Sequence, residues 1–197
     1  MSSETAARPL RADARQNVDA LLEAAKDVFA ESGVDAPVRA IAGRAGVGVG
    51  TLYRHFPLRS DLISAVFRRE MDACVEAADE LQAAHPPGEA LDEWVIRYTQ
   101  FVAAKRGLSS ALHSGDSAYE PLSVSFSTRL VPTFARLAAA ARDAGEPVAD
   151  VDPEEFLGAV ANLCHGGGPD AAASGRAERM VRLLLAGLRS PDAPQAS

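Results

Sequence analysis

The sequence predicts an all-α fold, on three observations. Apolar residues recur at three- and four-residue spacing in successive segments, and breaks containing Gly or Pro separate those segments. Alanine is heavily used while aromatic residues make up only 6% of the 197, which suits closely packed helices better than sheet. Between Val38 and Phe56, two short helical stretches meet at Gly46, a residue that enters the left-handed backbone of a tight turn without a Cβ penalty.

Element by element, residues 1–15 carry Arg8, Arg11 and Arg15 and read as a flexible basic arm or a solvated tail. The first helix sets Val18, Leu21, Leu22, Ala25, Val28 and Phe29 on one stripe and ends at Gly33 as a C-cap. Asp35 and Pro37 open the second, whose Ile41, Ala42 and Ala45 form a small apolar face, with Val47 as the plug behind the turn. The third runs from about Val49 to His55, and Pro57 separates it from a long fourth helix, about Arg59 to Ala84, with Ile63, Phe67, Met71, Cys74, Ala78 and Leu81 on one side. His85-Pro86-Pro87-Gly88 breaks that helix, and the fifth repeats Leu91, Trp94, Val95, Tyr98, Phe101 and Val102 at three and four.

A short sixth helix is expected at about Leu108–His113, followed by a loop through Ser114-Gly115-Asp116. The seventh spans about Leu122–Ala144, and Pro132 inside it should kink or split it, since proline removes a hydrogen bond and clashes one turn back. Asp152-Pro153-Glu154-Glu155 is a helix-start signal for the eighth, with Phe156, Leu157, Val160, Leu163 and Cys164, which stops at Gly166-Gly167-Gly168-Pro169. The ninth, about Arg176–Arg189, carries Met180, Val181, Leu184, Leu185 and Leu188, and residues 191–197 read as a disordered tail.

Charge is unevenly distributed. The chain carries −7 overall, but residues 1–69 hold 10 Lys/Arg against 8 Asp/Glu, while residues 70–197 hold 10 against 19. Within residues 36–69, Arg39, Arg44, Arg54, Arg59, Arg68 and Arg69 face a single acid, Asp61. An acidic body with a small basic head favours contact with a polyanion through one end only. No apolar run approaches the roughly 20 residues of a membrane span, and Met1–Ala14 lacks the apolar core of a signal peptide. Cys74 and Cys164, far apart and on apolar faces, suit reduced thiols in a cytoplasmic protein rather than a disulfide or a metal site.

After the turn, Thr51, Tyr53, Arg54 and His55 place a hydroxyl, a phenol, a guanidinium and an imidazole on one and a half helical turns. That concentration suits a helix lying in a DNA major groove with phosphates on both flanks. The stretch from Asn17 to Phe67 resembles the DNA-binding domain of the TetR (tetracycline-repressor) family. The resemblance rests on the Ile41-Ala42…Ala45-Gly46-Val47 turn, the Gly50-Thr51-Leu52-Tyr53-Arg54-His55-Phe56 string, and Pro57, Arg59, Asp61 and Leu62 opening the fourth helix. It implies that Thr51, Tyr53 and His55 contact phosphate or base edges and that Arg59 clamps phosphate.

Gly48 stands where relatives often carry a small polar residue, and Val49 and Gly50 have no hydrogen-bonding side chain. Direct base readout therefore falls to Arg39, Thr51, Arg54 and contact of Val49 with thymine methyls, and DNA shape carries the rest. The resemblance further implies an N-terminal helix-turn-helix head at 16–62 and a ligand-binding and dimerisation bundle at 63–190. Candidate cavity residues are Trp94, Tyr98, Phe101, His113, Phe126, Phe134 and Asn162, although each aromatic taken singly reads more readily as ordinary core. Phe156, Val160, Leu163, Val181, Leu184 and Leu188 are the candidate dimer interface. The expected partners are double-stranded DNA, a second copy of the chain and a small-molecule effector, with no cofactor and no metal.

Catalysis finds little support. Cys164 and His165 are adjacent, and helical neighbours point about 100° apart, so they cannot form a nucleophile–base pair. No phosphate loop or metal-ligand spacing appears in the sequence. A ligand-responsive repressor is the expected function, with a transcriptional activator or a constitutive DNA-binding protein as alternatives.

Overall fold

The computed structural model describes residues 7–106, 117–165 and 171–190. They form α1 (Ala7–Ser32), α2 (Val38–Arg44), α3 (Val49–His55), α4 (Arg59–Ala84) and α5 (Pro87–Arg106). A 3₁₀ turn (Ser117–Tyr119) leads into α6 (Glu120–Ser125) and a π turn (Phe126–Leu130). Three more helices follow: α7 (Val131–Asp143), α8 (Pro153–His165) and α9 (Ala171–Leu188). Among the described residues there is no strand, and no helix is long and apolar enough to cross a membrane. They fall into two compact units, one reaching to Phe67 with Ser117–Tyr119, the other comprising Arg68–Arg106 and the residues from Glu120 onward.

In the first unit, α1 packs on α2 and α2 on α3. Leu21, Ala25, Val28 and Phe29 of α1, Ile41 and Ala42 of α2, and Leu52 of α3 are all buried. Gly33 ends α1 at φ +76°, as its C-cap role requires. The structure corrects the expectation of an arm through residue 15, because α1 already starts at Ala7. Pro9 does not prevent this, since a first-turn residue has no intrahelical N–H bond to lose. At the start of α4, Asp61 Oδ2 accepts the Leu58 N–H at 3.0 Å, half of a capping box. The units divide at Phe67, inside α4, beyond the boundary at residue 62 that the sequence suggested.

In the second unit, α5 is the central helix and packs against α7, α8 and α9. The aromatic stripe read from sequence is its buried face. Trp94 and Tyr98 stack with centroids 6.0 Å apart, Tyr98 continues to Phe101 at 6.0 Å, and Phe134 bridges Trp94 at 6.5 Å and Phe156 at 4.8 Å. The polar ends of these rings are used: Trp94 Nε1 donates to the Cys74 carbonyl at 2.8 Å and the Tyr98 hydroxyl to the Leu157 carbonyl at 3.4 Å. Burial pushes the Cys74 thiol up to about 12, outweighing the opposing pull of Arg97, so this cysteine is an inert packing group.

Pro132 has the effect its chemistry predicts. The expected helix is split by a π turn that ends at Leu130, two residues before Pro132, and the Ser127 and Thr128 hydroxyls both donate to the Val124 carbonyl. At the start of α8, Asp152 Oδ1 accepts the Glu155 N–H at 2.9 Å, with Pro153 in the first helical position. The ninth helix begins at Ala171, earlier than Arg176, because the alanine run 171–173 continues the helix rather than a loop. The expected helix at 108–113, the loop at 114–116 and the stop at 166–169 lie outside the described residues.

Candidate nucleic-acid interface

The turn between α2 and α3 is built as a Schellman motif. Gly46 sits at φ +70°, its N–H reaches the Gly43 carbonyl at 3.2 Å, and the Val47 N–H reaches the Ala42 carbonyl at 3.0 Å. These bonds satisfy the last carbonyls of α2 and set the entry to α3.

On α3, the four-residue spacing of a helix sorts the side chains into rows. Leu52 and Phe56 are buried and anchor one face. Beside them lie Val49, 38% exposed, and Tyr53, 50% exposed, and opposite the buried face lie the exposed Gly50 and Arg54. Thr51 and His55 are half-buried at the margin, and Gly48 is exposed at the N-cap position. A seven-residue helix thus keeps its apolar row inside and turns a phenol, a guanidinium and an isopropyl group to solvent, with a hydroxyl and an imidazole beside them. Such a surface offers donors to phosphate and base edges and a methyl contact for thymine.

The basic residues of this unit have different partners. Arg39 and Arg54 are exposed and have no ion-pair partner among the described residues. Arg44 is instead engaged, donating through both terminal nitrogens to Glu31 at 2.8 Å each, and this pair holds the Glu31 carboxyl below its usual 4.5. The expected role of Arg59 is revised. Its guanidinium donates to the Val34 carbonyl and, at 3.0 Å, to the Ala36 carbonyl, so it braces the α1–α2 turn instead of reaching outward. Sequence reasoning missed this because the two acceptors are backbone atoms more than twenty positions away.

The other candidate sets are partly rearranged. Trp94, Tyr98, Phe101 and Phe134 are fully buried against one another, and Phe126 lies half-buried on the π turn. His113 lies outside the described residues, and Asn162 is exposed on α8 rather than buried. A groove of about 510 Å³ does exist in the second unit, but it lies between α4 and α5 and none of these residues lines it. Of the proposed interface residues, Phe156, Val160, Val181 and Leu188 are buried within the single chain and have no surface left to offer a partner. Leu163 is 38% exposed and Leu184 half-exposed. The largest exposed apolar groups on α9 are Met180 and Leu183, the latter 65% exposed. The run Leu183-Leu184-Leu185 was the available signal, since three consecutive leucines cannot share one helical face.

The profile described as "Bacterial regulatory proteins, tetR family" matches residues 21–66, and that described as "Transcriptional regulator SbtR-like, C-terminal domain" matches residues 86–190. Among solved structures, a TetR transcriptional regulator from Streptomyces coelicolor is 35% identical, with a TM-score of 0.76 over 88% of this chain and 99% of that one. A TetR regulatory protein from Mycobacterium vanbaalenii is 38% identical, with a TM-score of 0.73 over 92% and 100%. An HTH-type transcriptional regulator of Staphylococcus aureus is 30% identical over 55% of this chain, and the match spans 60% of that relative's length. With both halves matched in order, and α2–α3 folded as a glycine-turned helix pair with an exposed polar row, the chain is a member of the TetR family of bacterial transcriptional regulators.

Proposed function

We propose that this regulator is a ligand-responsive repressor that binds a pseudo-palindromic operator as a homodimer. The observation that carries the DNA reading is the outward row of α3, with Val49, Tyr53 and Arg54 exposed while Leu52 and Phe56 hold the helix in place. Tyr53 and Arg54 serve phosphate and base edges, with Thr51, His55 and Arg39 at the margins. One such helix reads only a few base pairs, so two-fold assembly, with half-sites about 34–36 Å apart, supplies a usable site length. The exposed Leu163, Met180 and Leu183 support that assembly, because they lie on two helices packed together and a second copy would remove their apolar surface from water.

The effector reading is supported by the aromatic cluster around Trp94 and Phe134, with the π turn at Phe126–Leu130 beside it in sequence. π turns mark places where a helix departs from its lowest-energy geometry, often for function. The test is selection of bound duplexes from a random library with the wild-type chain, then with Tyr53→Phe and Arg54→Ala. A two-fold symmetric consensus, weakened about uniformly by Tyr53→Phe and blurred at one position by Arg54→Ala, is expected. Failure to enrich any sequence above non-specific binding would overturn the reading. Calorimetry of candidate effectors with and without the selected duplex then separates a repressor from a constitutive binder, because coupling between two ligands is reciprocal.

A further inference from the structure

Glycine is required at some positions of this chain and not at others. Gly33, Gly46 and Gly145 hold positive φ, and a Cβ at Gly88 would run into the Glu146 carboxylate and the Arg189 guanidinium. Gly50 meets neither condition. It lies inside α3 without a positive φ, and a Cβ built there meets nothing within 4 Å. Alanine would suit the helix better, because glycine loses more backbone entropy on ordering. With only seven residues, α3 is too short to be helical without support from its neighbours. Nothing inside the chain therefore accounts for the missing side chain, and what it makes room for lies outside.

Residues of an α-helix are about 100° apart, so Gly50 and Arg54 form the row opposite the buried Leu52 and Phe56. Val49 and Tyr53 lie on one flank of that row, Thr51 and His55 on the other. When a helix is held in a major groove by its buried face, the opposite row meets base edges and the flanks meet the phosphate walls. One end of this row carries a guanidinium on a long stem, and the other end carries no side chain. Between Val49, Tyr53 and Arg54, Gly50 leaves a shallow apolar notch floored by its Cα, with room for a methyl group. The 5-methyl of thymine is the group on a major-groove edge that asks for an apolar contact and no hydrogen bond. We infer that Gly50 is a specificity-determining residue whose notch seats the 5-methyl of one thymine in each half-site. Arg54 lies one turn on, about 6 Å along the helix, so the guanine it suits lies about two base pairs from that thymine. Resting on the DNA reading proposed above, the notch adds to it one base and the residue that selects it.

The experiment uses the full chain and the duplex that the wild-type chain selects from a random library. Gly50→Ala is expected to raise the thermal midpoint by about 1–4 °C. The same variant should bind the selected duplex about tenfold more weakly. Its affinity for a duplex of unrelated sequence, set by phosphate contacts, should stay within about twofold of wild type. Each thymine of the selected half-site is then replaced in turn by deoxyuridine, which lacks only the 5-methyl. One replacement should weaken wild-type binding about fourfold, the loss of one buried methyl. At that position the replacement should strengthen binding by Gly50→Ala, since the methyl removed from the DNA makes room for the one added to the protein. A merely structural role for Gly50 would not reverse the sign at a single thymine. Three results would overturn the inference: a lowered midpoint for Gly50→Ala, wild-type affinity of that variant for the selected duplex, or no thymine showing the reversal. Each of them leaves the DNA reading standing, whereas a wild-type chain that selects no duplex overturns both.

Discussion

Replacing Arg59 by alanine distinguishes a structural brace from a phosphate clamp. In the structure both terminal nitrogens of Arg59 are occupied by the Val34 and Ala36 carbonyls, and the residue is half-buried. A hydrogen bond from a charged donor contributes about 1.5–3 kcal/mol when protected, and less where water can replace it. Two such bonds at a half-exposed turn, whose carbonyls are partly resolvated once the arginine is gone, give an expected loss of about 2 kcal/mol. The assay is urea unfolding of wild type and Arg59→Ala, with hydrogen exchange at the amides of residues 33–38 to localise the effect. In parallel, the salt dependence of duplex binding is measured, where each phosphate contact contributes a slope of about −0.9. A brace predicts a lower unfolding midpoint, faster exchange at the turn and an unchanged slope. Unchanged stability together with a slope shallower by about 0.9 would refute the brace and restore the phosphate role.

Gly46→Ala should cost roughly 1–2 kcal/mol in thermal unfolding, purely from the left-handed φ of +70°, because an added Cβ meets nothing within 4 Å; a neutral substitution would show that the turn relaxes. Leu183→Asp with Met180→Asp should give folded monomers in sedimentation, weakening assembly at least about 100-fold since each lost contact counts twice across a two-fold axis, whereas Val181→Asp should unfold the chain. A dimer that survives the double substitution would place the interface elsewhere. The Glu31 carboxyl is held below 4.5, first by its hydrogen bond with Arg44. A depressed folded value means that the stabilisation is present above 4.5 and is lost as pH falls through the lowered value. Unfolding midpoints followed from neutral pH into the acid range should therefore fall less steeply for Glu31→Gln than for wild type, and parallel curves would show that the exposed pair contributes nothing.

Local chemistry made much of the chain legible in sequence. Helical periodicity placed the aromatic stripe of α5, Gly46 marked the turn because few residues tolerate positive φ, and Asp152-Pro153 marked the start of α8 because capping is a short-range hydrogen bond. Pro132 announced a break in the seventh helix for the same reason, a missing N–H acting on its own neighbourhood, though not that the break takes the form of a π turn. The direction in which an apolar or charged residue faces was decided only in three dimensions. Val160 and Val181 share sequence stripes with Leu163 and Leu184, yet the first two are enclosed by the chain itself and the second two reach the surface. Arg44 and Arg59 look like members of one basic cluster, but Glu31 captures the first and two carbonyls of the α1–α2 turn capture the second. Periodicity records which face of a helix is apolar. What covers that face, and which distant acceptor a long cationic side chain finds, depends on how the helices pack, and that is settled by contacts between residues far apart in the chain.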